Sequence, residues 1–98
     1  SRLDALRAAQ ARQTSARLTQ RLASQQAEVQ RIDGEIDYLA EVQRSARPRP
    51  GESAAAVRQR VADLSQQKGE LQAQYQELNG IQRATRTAQA QAKRIGGV

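Results

Sequence analysis

The sequence predicts an all-α protein, an antiparallel two-helix coiled-coil hairpin, and three observations carry that reading. Two long segments each bear an apolar stripe at alternating three- and four-residue spacings, a Pro/Gly stretch separates them, and the composition is too poor to fill a thick core. Of the 98 residues only 38% are apolar, much of that alanine, with two aromatics and no Phe, Trp or Met. A globular interior is packed from large branched side chains, which are scarce here.

Helix one is predicted over about residues 3–44. Its stripe runs through Leu18, Leu22, Val29, Ile32, Ile36 and Leu39, with Gln25 in the one polar slot. At 1.5 Å per residue it makes a rod on the order of 60 Å long. The turn, about 45–52, holds Arg47-Pro48-Arg49-Pro50-Gly51-Glu52; the prolines lack the N–H a helix needs, and Ser53 is placed to cap the second helix. Helix two, about 53–95, repeats the stripe with Val57, Val61, Leu64, Leu71, Tyr75 and Leu78, and Lys68 takes its polar slot. Asn79-Gly80 favours a kink in helix two, whereas a full stop there would create a third short helix. Gly34 and Gly69 weaken the helix interiors by about 1 kcal/mol each.

A short connection makes the helices antiparallel neighbours, in a register where facing residue numbers add to about 97. It sets Ile36 against Val61, Ile32 against Leu64, Leu22 against Tyr75 and Leu18 against Leu78, with Lys68 beside Val29 and Gln25 beside Leu71. Toward the open end Ala8, Ala9, Ala11 and Ala16 face Ala84, Ala88, Ala90 and Ala92. Methyl groups bury little area, so this end is expected to fray or to recruit a partner. Homo-oligomerisation through helix packing, into a four-helix arrangement, is the other way to cover such a stripe.

The chain has 16 Lys+Arg against 10 Asp+Glu, a net charge of +6, and the charge is banded. Asp33, Glu35, Asp37 and Glu41 form an acidic waist, expected to pair across the hairpin as Asp37 with Arg60 and Glu41 with Arg58. Basic residues gather beyond it at both ends. Arg7, Arg12, Arg17, Arg83, Arg86, Lys93 and Arg94 lie toward the open end, and Arg44, Arg47 and Arg49 at the turn. These are the candidate partner-docking residues, suited to an acidic protein surface; plain solvation of a polar helix is the alternative reading.

Without Cys or His there is no thiolate nucleophile, imidazole base or soft metal site. Asp33, Glu35 and Asp37 are two apart and point in different directions on a helix, and Gly96-Gly97 follows no strand that could build a phosphate loop. The expectation is a non-enzyme with no catalytic, metal or cofactor-binding residues and no cofactor. A pI near 11 suggests nucleic acid, but the missing stacking aromatics, the acidic waist and the winding of Arg2, Arg7, Arg12 and Arg17 around the helix argue against it. No run reaches the roughly 20 apolar residues of a membrane span, so direct membrane insertion by this segment is not expected. Protein partners in a larger assembly remain. With no Met and a close on Ile95-Gly96-Gly97-Val98, the sequence reads equally as a whole chain or as a piece of a longer one.

The basic, Arg/Gln/Ala-rich pair of long helices joined by Arg47-Pro48-Arg49-Pro50-Gly51 resembles the central-stalk family of bacterial type III and flagellar export machines. The likeness spans most of the chain and is architectural. It implies a non-catalytic cytoplasmic stalk whose paired terminal helices, here 7–17 and 83–94, engage a hexameric export ATPase. The hairpin is also similar to that of periplasmic adaptor proteins from efflux and type I secretion systems. That resemblance implies a periplasmic location and docking through the tip, here residues 44–52.

Overall fold

The computed structural model describes residues 1–97, which form two α-helices, α1 (Arg2–Arg44) and α2 (Ala54–Gly96), joined by residues 45–53. This is the expected all-α hairpin. The helix α2 passes through Asn79 and Gly80 as one element, so the third short helix does not form.

Helix ends are set by local chemistry. Ser1 Oγ accepts the Asp4 N–H at 3.3 Å and donates to the Asp4 carboxylate at 2.9 Å, a reciprocal cap that starts α1. At the other end Ser45 folds its hydroxyl back to the Glu41 carbonyl at 2.8 Å, and Pro48 prevents continuation. Residues 49–52 then make a β-turn, with the Glu52 N–H donated to the Arg49 carbonyl at 2.9 Å. Pro50 supplies its second residue and Gly51 its third, at φ +79°, the left-handed position that a type II turn reserves for glycine. Ser53 Oγ accepts the Ala56 N–H at 3.1 Å and caps α2.

The chain divides into two compact units, Val29–Glu77 and the pairing of Ser1–Glu28 with Leu78 onward. In the first, Val29 and Ile32 are buried, while Ile36, Leu39, Val57, Val61, Leu64, Leu71 and Tyr75 are half-buried along the seam. Gln43 bridges the helices, donating through Nε2 to Ser65 Oγ and accepting at Oε1 from Lys68 Nζ at 3.0 Å. Lys68 therefore ends on Gln43 rather than beside Val29.

The second unit has a different interior. Its buried residues are Ser15, Gln82, Thr85, Ala92 and Gly96, with Ala8, Ala11, Leu18, Leu22, Gln25, Leu78 and Gln89 half-buried. Of the alanines expected to face each other, Ala9, Ala16, Ala84, Ala88 and Ala90 are instead exposed. Polar side chains link the helices: Gln25 Nε2 donates to Thr85 Oγ1 at 3.2 Å, Gln82 Nε2 to Gln26 Oε1 at 2.8 Å, and Gln89 Nε2 to Thr19 Oγ1 at 2.6 Å. Thr85 spends its own proton on the Ile81 carbonyl at 3.0 Å, so it presents only an acceptor to Gln25. Small residues let the backbones approach closely. A Cβ built on Gly96 would lie 2.9 Å from Arg12 Cγ, and the Arg12 guanidinium donates to the Gly96 carbonyl at 3.2 Å.

Within each unit the register departs from the expected one. Hydrogen-bonded residues across the seam have numbers adding to between 107 and 111, about eleven more than the expected value. Gln25 thus meets Thr85 rather than Leu71, and the pairings of Ile36 with Val61 and Leu22 with Tyr75 give way to this register. Eleven residues are about three helical turns, and sliding by whole turns returns each stripe to the same face. Apolar periodicity is nearly blind to such a slide, and the connection decides it. Residues 46–49 take no regular secondary structure, and Arg47 and Arg49, each before a proline, are kept out of the α conformation. The segment climbs beside the first turns of α2, where Arg60 donates to the Arg47 carbonyl at 2.8 Å.

Candidate docking surfaces

The turn is bound to itself. Arg60 donates to both the Arg47 carbonyl and Glu52 Oε1 at 2.8 Å, and the Arg60 and Glu52 side chains are only 24% and 17% exposed. Glu52 Oε1 also accepts the Arg49 N–H at 3.1 Å. That backbone donor, helped by Arg60, holds the Glu52 carboxyl below its ordinary pKa against the desolvation of its site. The Arg47 guanidinium donates to the Arg44 and Ala46 carbonyls, and Arg44 pairs with Glu41 on its own helix, which raises the Arg44 pKa. The expected pairs of Asp37 with Arg60 and Glu41 with Arg58 are therefore replaced: Arg60 takes Glu52 and Glu41 takes Arg44. In the displaced register Arg60 lies at the connection, beyond the acidic waist.

On the flank of the Val29–Glu77 unit a groove of about 490 Å³ lies between the helices. It is lined by the apolar Tyr38, Leu39 and Leu71 together with Glu35, Gln67, Glu70 and Gln74. Tyr38 is 68% exposed, large for an aromatic side chain in a protein holding only two. Glu35 is paired with Arg31, whereas Glu70 has no partner among the described residues.

The terminal unit carries the remaining predicted docking residues. Arg7 lines a notch with Asp4, Ala8 and Ile95, and Arg12 is spent on the Gly96 carbonyl. Arg17, Arg83, Arg86, Lys93 and Arg94 are exposed and form no ion pair among the described residues. Beside them Leu3, Leu6 and Ile95 are each 56% exposed. Leu3 and Leu6 are one turn apart on α1, so the two exposed side chains lie side by side.

Several of these features escaped prediction from the sequence, though a signal for some was present. Counting on from Leu78 by four and three lands on Gln82, Thr85, Gln89, Ala92 and Gly96, and counting back from Leu18 lands on Ser15, Ala11 and Ala8. The heptad continues with its apolar content removed, and a search restricted to apolar residues passes over it. The Arg60–Glu52 pair had no comparable signal, since it depends on where the connection lies.

Among the described residues no group of His, Cys, Asp or Glu is placed to hold a metal ion, and no helix is long and apolar enough to cross a membrane. Comparison with protein-family models, with curated proteins and with solved structures finds no match.

Proposed function

We propose that this chain is a non-catalytic coiled-coil stalk or adaptor in a larger protein assembly, of the kind bacterial secretion and export systems use, and that it docks through its terminal unit. What supports the reading is the state of that unit's cations. Residues 1–28 and 78–98 hold nine Lys/Arg against two Asp/Glu, and none of these cationic side chains forms an ion pair among the described residues. The helices of this unit are linked by neutral Gln–Thr and Gln–Gln bonds, which leaves that charge for an external acidic surface. The periplasmic-adaptor variant would dock through the turn, but there Arg44 is paired with Glu41 and the Arg47 guanidinium is bonded to backbone carbonyls, which leaves Arg49 as the one predicted turn cation whose side chain has no partner among the described residues and favours the terminal unit.

The test separates scaffold from docking surface. Val61→Asp should sharply lower helicity by burying an unpaired charge, whereas Arg86→Glu should keep helicity and abolish capture of partner proteins by a photo-crosslinker placed at position 90. Equal loss of helicity in both overturns the division. The concentration of positive charge also favours a second reading, binding to nucleic acid. Duplex DNA bound at low salt and released steeply as salt rises would replace the adaptor reading with that one.

A further inference from the structure

We infer that the chain self-associates, with the Tyr38 groove of one copy receiving the Leu3–Leu6 turn of a second. The groove is lined by the apolar Tyr38, Leu39 and Leu71 and by a carboxylate, Glu70, with no partner among the described residues. Around it the sequence is acidic, residues 29–43 and 61–77 together holding seven Asp/Glu against two Lys/Arg. The α1 N-terminal turn has the complementary character. Leu3 and Leu6 stand 56% exposed on it, with Arg2 and Arg7 flanking them in sequence and forming no ion pair among the described residues. Apolar matches apolar, and unpaired cation matches unpaired anion.

A second copy is the occupant because this one chain carries both halves of the match. Like-charged surfaces repel: two terminal units would oppose each other strongly, as would two waists, so the favoured encounter sets one copy's terminus on another's waist. Such a contact joins two different surfaces and can repeat from copy to copy. The inference goes beyond the adaptor reading and needs no foreign partner.

Sedimentation velocity of the full chain over a range of concentration, at low and high salt, tests it. The expected result is association at low salt that weakens as salt screens the charges. Glu70→Arg and Arg7→Glu should each weaken it at least about tenfold, with helicity by circular dichroism unchanged, and mixing the two variants should restore association between them. Leu6→Gln leaves every charge in place and should weaken association as well, which keeps the test open if a charge reversal costs helicity. A chain that stays monomeric throughout, association indifferent to Glu70→Arg, or a mixture that fails to recover would overturn the proposal.

Discussion

Arg60 ties the connection together, because one of its guanidinium nitrogens donates to both the Arg47 carbonyl and the Glu52 carboxylate. Its Nε is buried without a partner, so the residue gives up some hydration to make that bridge. Arg60→Gln should free residues 45–53 and lower the thermal midpoint by several degrees, with amide exchange rising first in 49–57. Glu52 adds a pH dependence whose direction is fixed. Its folded pKa is depressed, so the stability it contributes is present above the ordinary glutamate value and is lost as pH falls through the depressed one. The stability gap between the native chain and Glu52→Gln should therefore be open at neutral pH and close on acidification, as thermal melts at several pH values would register. Gly34 and Gly69 have open space where a Cβ would go, and Gly→Ala at each should stabilise by about 1 kcal/mol. Gly96→Ala should do the opposite, since its Cβ would collide with Arg12.

Between the helices, the two units are held by different chemistry. In Val29–Glu77 the centre is aliphatic, and truncating Ile32, 3% exposed, to Ala should cost about 2 kcal/mol, the low end for a core site because the surrounding seam is half-open. In the terminal unit small residues permit close approach and glutamines supply the cross-links, a combination that buries fractions of residues without burying much area. Gln25 Oε1 remains buried without a partner there. Substituting Gln82 by Leu should raise the stability of this unit by about 1 kcal/mol, since Gln26 is exposed and can turn to water. Chemical denaturation would measure that gain. If the polar bonds also fix alignment, the same variant should show slipped pairings by disulfide trapping, because a uniformly apolar seam no longer penalises a slide of three turns.

For the molecule as a whole, hydrogen exchange should report slower opening in residues 29–77 than in 1–28 and 78–97, because the aliphatic content of the two interiors differs in that order. The sequence by itself determined the class of structure: two heptad stripes separated by residues that cannot be helical leave an α-hairpin as the arrangement that covers both. It also determined the caps, since Ser53 and the Pro50-Gly51 pair act through neighbours a few residues away. Only the tertiary structure decided the register, because a slide of whole helical turns preserves the stripe and the choice rests on how far the non-helical Arg-Pro-Arg-Pro segment carries the chain. It likewise decided which arginines are free. Arg44 meets Glu41 at a three-residue spacing that the sequence already encodes, but Arg12 and Arg60 find acceptors only through the fold, while Arg7, Arg83 and Arg86 form no ion pair among the described residues.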